Sequence, residues 1–196
     1  MNNEGKVKIS SILLSVLVIV AIVLIFFICF EYSKRNQNEK AVKEVVSQIE
    51  SITPNEEKTE LPYIEYEGYQ IIGTIKIPKI DIEYPILVES TKDSLEKSIT
   101  RVGNGKVNEV GNLSMAGHNY LDGTMFGKID ELQNDDEIII KDLLGNEVNY
   151  KVFDIFVTNP NDVGVLESVD KEAREITLIT CTNGNKNRLI VKAREI

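Results

Sequence analysis

From residue 9 to residue 30 every position is apolar except Ser10, Ser11 and Ser15. Such a run predicts a helix that crosses a bilayer core of about 30 Å with about 20 residues. Residues 31–52 then turn charged but keep Val42, Val45, Val46, Ile49 and Ile52 at helical spacing, which predicts a second helical stretch ending near Pro54. A polar linker, Asn55 to Glu60, follows. The valine stripe suits a stalk or dimerising face, or packing against whatever follows, and packing is the plainer reading.

From Leu61 the period changes from helical to short and alternating. Residues 69–78 and 82–88 read as strands, with Pro78 and Pro85 marking strand ends or edges. Residues 94–99 read as one helical turn, 107–112 as a loop and 112–118 as a strand ending on His118. Residues 123–132 predict a short helix with Met125, Phe126, Ile129 and Leu132 on one face. Strands at 136–141 and 147–157 are joined by a turn at 143–146. A loop, 158–176, then leads to strands 177–181 and 188–191 across a six-residue Asn/Gly turn. About eight short strands with minor helices argue a mostly β fold, a closed or nearly closed barrel. The expected division is a tail at 1–8, a transmembrane anchor at 9–30, a juxtamembrane helix and linker at 31–60, and a β domain at 61–196.

The apolar run is longer than the usual core of a cleaved signal peptide, about 7 to 15 residues, and no small-x-small pattern follows it. An uncleaved anchor is therefore expected. Lys6 and Lys8 before the run nearly balance Lys34 and Arg35 after it, so charge sets no orientation. A large domain behind a very short tail favours tail inside, domain outside. The net charge of −9 leaves an acidic domain without a basic patch, which argues against nucleic acid and against an anionic lipid surface.

Cysteine and histidine usage sharpens this picture. There are two cysteines, and Cys29 lies in the apolar run, so Cys181 stands alone in the β domain and no disulfide can form there. An unpaired thiol outside the membrane is a liability unless it is used, although a buried structural cysteine is the common alternative. The single histidine, His118, closes one predicted strand, Cys181 closes another, and Arg188 opens the strand after the turn. Strand ends of a barrel converge on its rims, so all three can meet. An imidazole can move protons for a thiol nucleophile, and a guanidinium can balance an oxyanion. A lone histidine also serves structure alone.

Residues 177–181, Thr-Leu-Ile-Thr-Cys, with Arg188 heading the strand Leu189-Ile190-Val191, resemble the signature of sortases, membrane-anchored cysteine transpeptidases of Gram-positive bacteria. Ala116-Gly117-His118 and Met125-Phe126-Gly127-Lys128-Ile129 resemble the family's histidine region. Residues 72–80 and 159–166 resemble its first strand and active-site loop. The likeness runs from about residue 69 to 194 in the family's order.

It implies a closed eight-stranded barrel with Cys181 as nucleophile, His118 as general acid and base, and Arg188 as the holder of substrate backbone and oxyanion. Ala116, Thr180, Val165, Leu166 and Ile190 would wall the substrate groove. The implied substrates are surface proteins with a C-terminal Leu-Pro-x-Thr-Gly-like sorting motif. The implied acceptor is an amine of a cell-wall precursor or pilin. Loop 158–176 is too short for the long helix of class B, and no class C lid segment precedes it, so class A or D is expected. The short turn between Cys181 and Arg188 departs from many relatives. A membrane-anchored cysteine hydrolase and a non-catalytic surface binding module are the competing classes.

No cofactor is expected. Some class A sortases bind Ca2+, and Asn134 to Glu137, with Asp162 and Glu167, offer oxygen ligands. Their spacing matches no loop motif, and solvated turn charges explain them. One histidine and one available cysteine argue against zinc.

Overall fold

The computed structural model describes residues 3–52 and 62–196; the predicted linker at 55–60 lies outside them. The chain divides into two compact units, residues 1–41 and 42–196. The first belongs to helix α1, Asn3–Glu50, which continues into the start of the second without a break. Its apolar side chains from Ile12 to Phe30 are exposed, and the helix is long and apolar enough to cross a membrane.

The second unit opens on the last turns of α1. Val42, Val46 and Ile49 are buried there, and Lys141 Nζ donates to the Glu50 carbonyl at 3.1 Å. The stripe thus serves packing.

Among the described residues nine strands follow: β1 Glu65–Tyr66, β2 Tyr69–Ile77, β3 Ile82–Leu87, β4 Ile99–Val102, β5 Gly111–Ala116, β6 Glu137–Asp142, β7 Glu147–Thr158, β8 Arg174–Thr182 and β9 Asn187–Glu195. They are ordered β1-β2-β3-β4-β5-β8-β9-β7-β6, and β6 pairs back onto β2. Strands β2 to β9 therefore close into an eight-stranded barrel, as expected, with the two-residue β1 appended to β2. The interior is filled by Ile71, Ile75, Ile86, Leu113, Met115, Ile138, Ile140, Leu178 and Val191 among others.

Closure depends on Gly73. The β2–β3 register shifts between Ile71 and Gly73, and a Cβ on Gly73 would lie 2.5 Å from the Lys141 carbonyl oxygen of β6. Gly73→Ala is therefore expected to cost about 1–3 kcal/mol, as overpacking does. A lowered thermal midpoint of the β unit would register the loss, and an unchanged midpoint would refute this account of the seam.

Three local expectations differ from the fold. The helical turn expected at 94–99 overlaps the observed turn only at 94–95, and strand β4, Ile99–Val102, which no expectation covered, begins at its far end. The turn lies earlier, at α2 Lys92–Leu95, because Thr91 and Ser94 form a reciprocal capping box there. Residues 123–132 hold only a 3-10 turn, Ile129–Glu131. Their amides are spent elsewhere: Met125 N donates to Tyr84 Oη at 3.0 Å and Phe126 N to the His118 carbonyl at 3.0 Å, with Met125 at φ 52°. The four predicted apolar residues are nonetheless all buried. Loop 159–173 carries a 3-10 turn, Val163–Leu166.

Burial also leaves a titration signature. Tyr150 is buried, its hydroxyl donates to Asn108 Oδ1 at 3.3 Å, and burial pushes its phenol up to about 12. The unfolded phenol loses its proton near pH 10, so between pH 10 and about 12 the native state holds a proton the unfolded state has released. Stability is expected to be unaffected by this group below pH 10 and to fall as pH rises through that window. Denaturant midpoints should decline more steeply in the native chain than in Tyr150→Phe, and equal slopes would contradict the shift.

Candidate active site

Strand β8 carries the centre of the site. Its side chains alternate, so Ile176, Leu178 and Thr180 face the barrel interior while Thr177, Ile179 and Cys181 face outward. Cys181 pairs directly with Arg188 of β9, which puts both side chains on the outer face, about 5 Å apart at Cα. On the other side β5 runs parallel to β8 with Ala116 opposite Ile179. Continuing that register brings Gly117 to Thr180 and His118 to Cys181.

Three hydrogen bonds hold the continuation. Gly117 N donates to the Ile179 carbonyl at 3.2 Å, Thr180 Oγ1 to the Gly117 carbonyl at 2.8 Å, and Asn119 Nδ2 to the Cys181 carbonyl at 2.8 Å. His118 therefore stands two residues beyond the end of β5, yet level with Cys181. Gly117 makes the approach possible, since a Cβ there would meet Ile99 Cδ1 at 2.6 Å and the Phe126 ring at 2.9 Å. The three chemically distinctive residues thus form one row, His118–Cys181–Arg188, across adjacent strands.

Each member is half-buried, open to a substrate without being fully hydrated. The His118 ring lies 5.0 Å from that of Tyr120, tilted by 39°. Arg188 Nη1 donates to the carbonyls of Asn185 at 3.3 Å and Asn187 at 3.1 Å. Strands β8 and β9 pair down to Thr182 and Asn187. The turn proper is therefore four residues, with Asn183, Gly184 and Asn185 all at positive φ.

The next row on the same face contains Ala116, Ile179 and Ile190, an apolar floor beside the thiol. Ala116 and Ile179 are half-exposed and Ile190 is buried. Loop 159–173 is pinned over this side of the barrel by polar groups. Asn112 Nδ2 donates to the Leu166 carbonyl at 2.9 Å and Lys192 Nζ to that of Glu167 at 2.9 Å, while burial lowers the Lys192 pKa. Glu175, also buried, accepts from Val169 N at 2.6 Å and Asp170 N at 3.1 Å. Arg194 pairs with its carboxylate at 2.6 Å, so this buried charge is fully engaged. The loop brings Val165, buried, and Leu166, half-buried, toward β5.

Thr180 differs from the other wall candidates. It is buried and faces inward, because strand alternation sets it opposite Cys181, and its hydroxyl braces Gly117 instead. Ile179 and Asn119 were missed by sequence reasoning. Ile179 carried a signal, standing two residues before Cys181 and hence on its face. Asn119 carried none, since its bond joins segments 62 residues apart.

The acidic residues considered for calcium do not converge. Asp136 is taken by Lys79 at 3.1 Å and by Gln133 N at 2.7 Å. Asp162 accepts from Thr158 Oγ1 at 2.7 Å and Gly164 N at 3.1 Å. Among the described residues no three His, Cys, Asp or Glu side chains gather as a metal site.

Residues 75–196 match the sortase domain model. The chain belongs to the sortase family. It is 36% identical over 125 residues to sortase A of Bacillus anthracis, covering 62% of this chain and 58% of that protein. To sortase A of Staphylococcus aureus it is 28% identical over 167 residues, covering 83% of this chain and 77% of that one. Among solved structures, a Clostridium perfringens sortase D5 transpeptidase superposes with a TM-score of 0.65 at 35% identity, covering 81% of this chain and 98% of the other. The chain thus spans less than two thirds of the length of its Bacillus relative.

Proposed function

We propose that this sortase is a cysteine transpeptidase that cleaves a Leu-Pro-x-Thr-Gly-like sorting motif and passes the acyl part to an amine. The row His118–Cys181–Arg188 carries the reading. It gathers a nucleophile, a proton carrier and an oxyanion partner on one half-open face. The Cys181 thiolate attacks the Thr–Gly carbonyl, and the carbonyl electrons move onto oxygen. Arg188 balances that oxyanion: Nη1 is held by the turn carbonyls, and Nε and Nη2 remain to reach the developing charge. Collapse of the intermediate expels the glycine amine, which takes its proton from His118 and leaves a thioester on Cys181. An incoming amine gives its proton to His118, attacks the thioester and releases Cys181.

Ala116, Ile179 and Ile190 form the floor against which the apolar side of the motif lies, with Val165 and Leu166 on the loop wall. The reaction calls on no cofactor. The substrates are surface proteins with a C-terminal sorting signal, and the acceptor is an amine of a cell-wall precursor or pilin. The apolar helix supports a single-pass anchor at the cell membrane; in this reading residues 1–8 are inside and the β unit outside. The small 3-10 turn in loop 159–173, together with the likeness to sortases A and D, supports a class A- or D-like enzyme.

The test is a pentapeptide library presented with and without oligoglycine. Cleavage with an amine-ligated product is expected. Cleavage to acid only, whatever amine is added, would make the protein a cysteine hydrolase. No cleavage of any member would remove the enzymatic reading.

A further inference from the structure

The way β5 ends beside Cys181 points to a residue that the row itself does not contain. In a parallel ladder, rungs donated by one strand recur every second residue, each reaching a carbonyl two residues further along its neighbour. Gly117 N to the Ile179 carbonyl, 3.2 Å, is one such rung. The next would run from the backbone N of residue 119 to the Cys181 carbonyl. The structure makes that rung with the side chain of Asn119 instead, Nδ2 to Cys181 O at 2.8 Å.

This substitution solves a geometric conflict. Residue 119 must leave the sheet, because its backbone is bridged to Met125 and the chain must turn so that Phe126 N can bond the His118 carbonyl at 3.0 Å. A strand that left at Gly117 without a further tie would let His118 swing away from Cys181. The Asn119 amide keeps the last rung while its backbone departs, so His118 is bracketed by ties to β8 on both sides. The neighbouring Tyr120 ring lies 5.0 Å from the imidazole, tilted by 39°.

We infer that Asn119 is a positioning residue: its side-chain amide replaces the final β5–β8 rung and sets His118 against Cys181. The inference rests on the transpeptidase reading for its kinetic consequence, though not for its geometry. Asn119 is exposed, so its bond contributes little to global stability while governing a distance to which proton transfer is sensitive. Asparagine meets the requirement where aspartate does not, because the Cys181 carbonyl accepts and a carboxylate offers no donor.

The experiment uses the full-length chain in detergent, with variants Asn119→Ala, Asn119→Asp and Asn119→Gln. Transfer of a cleavable Leu-Pro-x-Thr-Gly peptide to triglycine gives kcat and KM. Iodoacetamide labelling at pH 7, followed by peptide mass spectrometry to separate Cys181 from Cys29, reports on the thiol without substrate. Asn119→Ala and Asn119→Asp should lower kcat by about 10- to 100-fold, the scale of an ångström-level misplacement, with KM within about twofold. Cys181 labelling should slow in both, since a displaced imidazole no longer stands ready to take the thiol proton as the sulfur is alkylated. Asn119→Gln, which retains the donor, should recover part of both.

Wild-type kcat in Asn119→Asp, unchanged labelling in Asn119→Ala and Asn119→Asp, or losses that follow the unfolded fraction in thermal melts would each overturn the role. If the wild-type chain transfers no sorting peptide, the transpeptidase reading fails by itself, and the labelling comparison alone decides the fate of Asn119.

Discussion

Cys181→Ala is expected to abolish turnover of sorting peptides while leaving the barrel intact. No other thiol lies in the β unit, and Cys29 sits in the exposed apolar helix, so nothing can replace the proposed nucleophile. The rate should fall by about 10⁴-fold or more, as when the nucleophile of a catalytic unit is removed. Folding should be spared because Cys181 is half-exposed at the end of β8, where losing one sulfur leaves no cavity. Chromatography of the cleaved and amine-ligated products gives the rate, and mass spectrometry should find the thioester adduct on wild type but not on the variant. Undiminished turnover in the variant would end the cysteine mechanism. A surface phenotype that survives the substitution would favour a binding module.

Arg188→Lys is expected to lose about 10² to 10³ in kcat, the scale measured when a single oxyanion donor is removed. Charge is preserved, so the loss isolates geometry. In the native chain one guanidinium nitrogen bonds the carbonyls of Asn185 and Asn187, and the proposed oxyanion contact falls to the rest of the planar fork. A lysine ammonium is one point with rotating donors and cannot both grip the turn and reach the row. The deficit should appear in kcat more than in KM, because the oxyanion is absent from the bound substrate and develops only on the way to the tetrahedral intermediate. A near-normal rate would remove Arg188 from the oxyanion role, leaving Cys181 and His118 untouched.

Both expectations depend on a row that the sequence half disclosed. The Cys181–Arg188 pairing was legible because a short Asn/Gly turn between two β-branched runs can close only as a hairpin, and hairpin register is local information. The valine stripe at Val42, Val46 and Ile49, the strands at β6 and β7, and the buried identity of Met125, Phe126, Ile129 and Leu132 were legible for the same reason: period and burial leave a mark on composition. The form of segment 123–132 was not. Its apolar spacing is compatible with a helix, but Tyr84 and His118 claim the amides that a helix would need, and neither is near in sequence. Strand β4 was missed because its partners are β3 and β5, and four residues, Ile99–Val102, are too few to show a period.

By itself, then, the sequence determined the apolar helix, the mostly β composition, the lone thiol and lone histidine, and the local hairpin that joins Cys181 to Arg188. Those are properties of residue type and of spacing over a few positions. Only the tertiary structure decided that His118 lies level with Cys181, that Ala116 joins Ile179 in the floor, and that Asn119 supplies the missing rung. These follow from the parallel register of β5 on β8, whose paired residues lie some 60 positions apart. Such pairing is chosen by closure of the whole barrel, where every strand must satisfy two neighbours at once.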